Sequence, residues 1–272
     1  MGRKTPEWKE NRTMKNNTQR TIRTLSTVLT LAVLLALARG VALAGDDANS
    51  KILPPKSHPY GKTYGEWSAE WWQWALGIPV AQNPVTDTTG QYAGVGQRGQ
   101  VWFLGGSFGS PASVERSFTV PTGMGLFLPV YLWIFGATVG DCEPSNPGVI
   151  CDIPTLRQSA EAAAKSILVM EVSIDGTPVK DLQSYYAASP SAFSVTLPAD
   201  NVLESLGLPD PAGTYYPQVS AGYWLMLAPL NPGTHAITVH LIPNPAYGSE
   251  QWVAYTLKVQ PKGKGHGDCG DD

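Results

Sequence analysis

The run Gly222-Tyr223-Trp224-Leu225-Met226-Leu227, then Pro229-Leu230-Asn231-Pro232-Gly233, then His235-Ala236-Ile237-Thr238-Val239-His240-Leu241-Ile242, decides the fold class. Its two flanks are rich in aromatic and β-branched residues, and Pro-Gly separates them, so it reads as a β-hairpin. Alternation through Ala236-Ile237-Thr238-Val239 predicts one buried and one wetter face. Further strand signals cover Val101–Leu104, Val114–Val120, Leu126–Phe135, Leu168–Ile174, Pro178–Leu182, Phe193–Leu197 and Trp252–Val259. Asp175-Gly176 is the strongest two-residue turn signal in the chain. Strands follow strands without regular helical crossovers. The expected fold is therefore mainly β: an antiparallel β-sandwich, jelly-roll or Ig-like, with one domain over residues 63–260. A division near Cys151–Pro154 is the alternative.

The helical signals are few. Tyr64-Gly65-Glu66-Trp67-Ser68-Ala69-Glu70-Trp71-Trp72-Gln73-Trp74 holds four of the nine tryptophans. Trp67, Trp71 and Trp74 fall at i, i+4, i+7, which is one face of a helix, and Glu66, Glu70 and Gln73 share a neighbouring face. Gly77-Ile78-Pro79 stops it. Thr155 with Gln158 matches a capping box ahead of an apolar stripe through Leu156, Ala160, Ala163, Ala164 and Ile167. A short helix over Asp200–Leu206 takes Asp200 as its N-cap.

The N-terminus reads as an export signal over residues 1–44. A basic leader precedes an apolar run of 14 residues, Leu25–Ala38, which ends at Ala42-Leu43-Ala44. That run is shorter than the roughly 20 residues of a bilayer-spanning helix, so cleavage before Gly45 is expected and no transmembrane segment remains. The protein is then secreted or periplasmic. Eight of the 19 Lys and Arg and two of the 22 Asp and Glu lie in the leader, so the remaining 228 residues carry a formal charge of −9. This acidity disfavours nucleic acid and anionic membrane surfaces as partners, since both demand basic patches. Residues 45–62 are polar and Pro-bearing and read as an extended lead-in. Residues 261–272 read as a disordered tail.

Cys142 and Cys151 lie close together in a Pro/Gly-rich segment, and an oxidising compartment lets them close a disulfide loop. Cys269 is left over, as a free thiol or an intermolecular bridge. No cofactor is indicated. Loose donors in the tail, His266, Asp268 and Cys269 among them, do not make a built metal site.

Four candidate sites follow. Glu66 and Glu70 sit one helical turn apart, and two carboxylates so placed can divide acid and base roles in a glycosidase-like hydrolase. The adjacent Trp67, Trp71 and Trp72 supply apolar surface for a sugar ring, and Asp87 and Gln97 in the next loop complete such a binding site. Gly105-Gly106-Ser107-Phe108-Gly109 matches a nucleophile elbow, with Asp152 or Asp175 and His235 or His240 following in order, but the helix that an elbow requires after its serine is missing. Gly94-Val95-Gly96-Gln97-Arg98-Gly99 matches a nucleotide-binding glycine pattern. Its context is inverted, since the glycines precede a strand, so a loop wall is the plain reading. Trp102, Trp133, Trp224 and Trp252 lie on strands, as core fillers or as an exposed carbohydrate platform.

Tyr64-Gly65-x-Trp67 with Trp71-Trp72-x-Trp74, Val101-Trp102-Phe103-Leu104, and Gly222-Tyr223-Trp224-Leu225-Met226-Leu227 leading to Pro232-Gly233-x-His235 resemble a group of exported bacterial proteins. The resemblance spans roughly residues 60–241. It implies that the Trp-rich helix and the Pro-Gly turn belong to one domain, and it carries no activity, cofactor or catalytic residue. Binding of a glycan or cell-envelope polymer, or a structural role, is the leading expectation. Hydrolysis through Glu66 and Glu70 is the alternative.

Overall fold

The structure, a computed structural model, describes residues 47–108, 112–138, 152–208 and 210–261. The leader at 1–44, the Cys142–Cys151 pair, Cys269 and residues 262–272 lie outside the described residues. The described residues form one compact unit.

The chain is mainly β. Among the described residues ten strands are formed by β1 (Val101–Phe103), β2 (Ser113–Pro121), β3 (Gly125–Gly136), β4 (Val169–Ile174), β5 (Thr177–Pro178), β6 (Tyr186–Ala188), β7 (Phe193–Leu197), β8 (Gly213–Leu227), β9 (Gly233–Ile242) and β10 (Gln251–Gln260). Three α-helices accompany them among the same residues: α1 (Tyr64–Gly77), α2 (Ile153–Lys165) and α3 (Val202–Ser205). The strands make two five-stranded sheets. In the first, β8 is the spine: β3 pairs with one edge, and β6 and β7 share the other. The second runs β2-β10-β9-β4-β5. One hydrophobic core takes side chains from both, including Phe127, Leu128 and Trp224 from the first and Val239, Tyr255 and Leu257 from the second.

Three expectations are corrected. The sheets are mixed, not uniformly antiparallel: β1 runs parallel to β3, and β2 parallel to β10. The Pro-Gly segment is not a hairpin. β8 belongs to the first sheet and β9 to the second, so Ala228–Pro232 carries the chain across the core. Two prolines in this link remove backbone donors and hold it away from both ladders. The lead-in is not extended. Residues 48–51, 55–57 and 59–61 form 3-10 turns, and Ile52 and Leu53 attach to the end of β8. Strands from both sides of the Cys151–Pro154 region share sheets, β2 with β10 and β3 with β8.

Local chemistry explains the helices. Thr63 caps α1: its hydroxyl accepts from the Glu66 N–H at 3.1 Å, and the Glu66 carboxylate accepts from the Thr63 N–H at 2.7 Å. Asp152, not Thr155, caps α2, accepting from the Thr155 N–H at 2.8 Å and from its hydroxyl at 2.6 Å. Asn201, not Asp200, caps α3, accepting from the Leu203 and Glu204 amides. The Asp175-Gly176 turn forms as expected, with φ of 52° and 76°, the left-handed pair that a tight hairpin between Ile174 and Thr177 requires.

Helix α1 seats on the first sheet through small residues and indoles. Ser68 Oγ lies 2.6 Å from Ser220 Oγ on β8. Gly65 backs directly onto the Ala188 carbonyl of β6, and a methyl group at Gly65 would overlap that oxygen. Trp71 is fully buried, its N–H donates to the Leu104 carbonyl at 2.9 Å, and its ring meets Trp224 at 5.6 Å. Trp224 in turn stacks on Phe127 at 5.1 Å.

Two outcomes are expected. On helix propensity alone, Gly65→Ala adds roughly 1 kcal/mol of stability. Here overpacking against β6 reverses the sign, and the variant loses about 1–3 kcal/mol in urea unfolding. The second concerns Asp175, which accepts from Lys51 Nζ at 2.8 Å, His235 Nδ1 at 2.9 Å and the Ala236 N–H at 3.0 Å. Partial burial works to raise its pKa, but Lys51, His235 and the Ala236 amide outweigh burial and lower it from 3.8 to about 2. The folded value lies below the unfolded one, so the stabilisation is complete above the unfolded pKa and is lost as pH falls from about 4 through about 2. With allowance for solvent screening it amounts to about 1–2 kcal/mol. The stability gap between wild type and Asp175→Asn is therefore present at pH 6 and closes towards pH 2.

Candidate functional site

Two recesses flank α1. The first is a cleft of about 520 Å3 along the outer side of the helix. Trp67, Trp74 and Phe103 form its apolar floor, and Lys62, Glu70, Gln73, Arg98 and Gln100 supply its polar groups. The indole N–H groups of the floor are engaged: Trp67 donates to the Pro59 carbonyl and Trp74 to the Val95 carbonyl, each at 2.9 Å. Only ring surface therefore faces the cleft. Lys62 pairs with Glu70 and stands 4.7 Å from the centre of the Trp67 ring. Arg98 and Gln100 are exposed.

The glycine-rich loop 94–99 makes the opposite wall. Gly96 lies against Trp74 and Ile78, at the C-terminal end of α1. The loop thus meets the C-terminal end of a helix and not the N-terminal end that a phosphate cradle uses.

The carboxylate pair expected from the sequence does not converge. Glu70 lines the cleft, whereas Glu66 does not. The Glu66 carboxylate is held by the Thr63 amide and hydroxyl, which keep its pKa below the usual range. It is a capping group. Asp87 and Gln97 also face inward to their own loop. The Asp87 carboxylate accepts from the amides of Thr89 and Tyr92, both at 2.8 Å. Burial works to raise its pKa, and these donors hold it low. Gln97 donates to the Ala93 and Phe103 carbonyls and accepts from the Phe103 amide. Trp71 is core. Of the expected set, the cleft brings together Glu70 and Trp67.

Sequence reasoning missed Arg98, Gln100 and Lys62, which reach the cleft because the loop folds back on α1. It also missed Arg116. That buried guanidinium donates to the carbonyls of Val85, Asp87 and Gly105, and Tyr255 Oη donates to the same Gly105 oxygen. The arginine clamps residues 85–105 to the second sheet.

The second recess lies between the sheets and measures about 270 Å3. It forms because β1 ends at Phe103. Among the described residues no strand pairs with β3 beyond Phe127 on that side, and the β3–β8 register shifts between Pro129 and Tyr131. Trp72 lines this cavity and stacks on Phe108 at 5.9 Å. Among the described lining residues Trp72 Nε1 is buried without a hydrogen bond, whereas the Tyr131 hydroxyl interacts with the Trp133 and Ser166 side chains. Each unpartnered group costs about 1–3 kcal/mol. Burial also pushes the Tyr131 phenol up.

Ser107 lines this cavity, but among the described residues no histidine does. His235 is bound to Asp175 and the Asn231 carbonyl. His240 lies between Glu171 and Glu250 and stacks on Trp252 at 3.7 Å. Burial works to lower the His240 pKa, and the two carboxylates outweigh it and raise the value. The elbow's partners are therefore employed elsewhere. Trp102 and Trp224 are buried and Trp252 is 48% exposed, so the strand tryptophans do not form a flat row. Among the described residues no three His, Cys, Asp or Glu side chains gather as a metal set, and no helix is long and apolar enough to cross a membrane.

No family model, no curated protein and no solved structure matches the chain.

The two readings of Glu66 separate cleanly. A cap tolerates glutamine, which still accepts from the Thr63 amide, whereas a general acid or base does not. Glu66→Gln is expected to keep wild-type thermal stability and Glu66→Ala to lower it. Thr63→Ala loses about 1 kcal/mol in denaturant unfolding.

Proposed function

We propose that the protein is an exported, non-catalytic binding protein, a β-sandwich whose helix cleft takes a short stretch of glycan or cell-envelope polymer. One observation carries this reading: ring surface floors a cleft whose rim is charged and amide groups. Sugars present apolar C–H faces and a hydroxyl periphery, and an aromatic floor with a polar rim complements both. Trp67, Trp74 and Phe103 meet the faces. Glu70, Gln73, Arg98 and Gln100 meet the hydroxyls. Trp71 and Trp72 act through the seat of α1 and not through contact with the ligand.

Hydrolysis has less support. Glycosidases place two carboxyl groups across the scissile bond. Among the residues lining the cleft, Glu70 is the one carboxylate, and it is already paired with Lys62. Export rests on the leader, with its basic flank, short apolar run and small-residue cleavage pattern. The mature acidity suits uncharged or basic polymer more than nucleic acid.

The test is retention on insoluble polysaccharides, including chitin, cellulose and peptidoglycan, with an assay for released reducing ends. Retention without release is expected on at least one of them. Arg98→Ala together with Gln100→Ala, both at exposed positions, is expected to weaken retention about tenfold or more while leaving the melting temperature unchanged. No retention on any polymer removes the reading, and release of reducing ends that disappears in Glu70→Gln replaces it with hydrolysis.

A further inference from the structure

The helix cleft already holds a cation, and it is the protein's own. Lys62 Nζ stands 4.7 Å from the centre of the Trp67 ring and pairs with the Glu70 carboxylate. An ammonium within about 6 Å of an indole centre is drawn to the ring by its quadrupole. A ring face with a carboxylate beside it is therefore a receptor for an alkylammonium group, and Lys62 shows where such a group sits.

The receptor is larger than a lysine needs. Phe103 meets Trp67 at 6.1 Å and 73°, and Trp74 at 5.5 Å and 55°, so the three rings form a concave corner and not a flat row. Lys62 stands at the Trp67 end, and Phe103 and Trp74 continue the floor through a cleft of about 520 Å3. That space is in the usual range for small-molecule sites. A compact body with C–H faces fits the rest of the floor and can present a cation towards Glu70.

Lys62 is also placed to leave. Its side chain is 39% exposed and that of Glu70 38%, and ion pairs at such exposure are weak. It precedes the Thr63 cap, outside α1, so its withdrawal breaks no helical turn. Exchange of one ammonium for another at Glu70 leaves the charge of the pair unchanged. A neutral sugar cannot make that exchange, and an acidic sugar would bring a carboxylate beside Glu70. Arg98, the other cation among the described lining residues, is exposed on the opposite wall, where water and salt screen it. The formal charge of −9 beyond residue 44 favours a basic polymer over an acidic one.

We propose that the cleft selects amino sugars whose nitrogen is free and protonated. The ligand's ammonium takes the place of Lys62 between Trp67 and Glu70, and its sugar rings lie along Phe103 and Trp74. This rests on the glycan reading above and narrows it to the deacetylated, basic class.

Calorimetric titration of the exported chain at about pH 6, where such an amine is protonated, tests the assignment. The probes are a β-1,4-linked glucosamine tetramer, its fully N-acetylated counterpart and a tetralysine peptide. The glucosamine tetramer is expected to bind saturably, and the acetylated tetramer and tetralysine each to bind about tenfold more weakly or worse. Glu70→Gln changes the total charge by one and keeps a hydrogen-bonding group, and it is expected to bring the two tetramers within about twofold of each other. Lys62→Ala removes the internal competitor and is expected to tighten the glucosamine tetramer several-fold, with a smaller effect on the acetylated one. Equal binding of the two tetramers by the wild type, an undiminished preference in Glu70→Gln, weaker glucosamine binding by Lys62→Ala, or equal binding of tetralysine overturns the assignment. Equal binding of the two tetramers leaves the glycan reading standing. Binding of neither tetramer, together with no retention on any insoluble polymer, removes both.

Discussion

The seat of Trp71 is the constraint on which the rest of the structure depends. Its ring lies in the core among Trp72, Trp74 and Trp224, and its single polar atom is satisfied by the Leu104 carbonyl. That hydrogen bond joins α1 to the chain just after β1, and the ring contact joins α1 to β8. A helix held at two points cannot rotate about its axis. Trp67 and Trp74 are thereby turned towards the polar cleft, and Trp72 towards the inter-sheet cavity. The two recesses are opposite consequences of one buried side chain.

Arg116 fixes the other wall. A buried guanidinium is tolerable only when its donors are met, and here the described acceptors are three backbone carbonyls from residues 85–105. Hydrogen bonds from a charged donor are stronger than neutral ones, at about 1.5–3 kcal/mol each. The loop is therefore held from inside by Arg116 and Tyr255 and from outside by the Asp87 and Gln97 side chains. Residues that seemed suited to touching a ligand instead shape the surface that does. Arg98 and Gln100 are exposed on a loop whose Asp87 and Gln97 side chains are committed to its own backbone.

What was legible in the sequence was local. The α1 stop at Gly77-Ile78-Pro79 and the Asp175-Gly176 turn are set by neighbours a few residues away, and both formed where the sequence placed them. The capping role of Glu66 was equally readable from Thr63-x-x-Glu66, a signal overshadowed by its spacing from Glu70. Longer-range features were not legible. Nothing within Ala228–Pro232 distinguishes a hairpin from a passage between sheets. The first half of β8 was hidden by Pro217, which sits at the register shift of the β7–β8 pairing. The parallel pairing of β2 with β10 joins segments more than a hundred residues apart and depends on the path of everything between them. The cavity needs β3, α3, β9 and β10 together, and no window of sequence contains them all.

Spacing alone does not make chemistry, and the α1 carboxylates show why. Glu66 and Glu70 are neighbours on a helix, yet the first turn of any helix has amide groups that need acceptors. A carboxylate at the third position is drawn to that need, which leaves Glu70 alone in the cleft with a lysine beside it. A single paired carboxylate is well suited to accept hydrogen bonds from a ligand and poorly suited to cycle a proton. The tryptophans follow the same logic in reverse. Trp67, Trp71 and Trp74 found carbonyl acceptors for their N–H groups, so their rings are free to be mere surface. Trp72 found no such carbonyl, and its ring is held by stacking on Phe108 and by the edge contact with Trp71 instead.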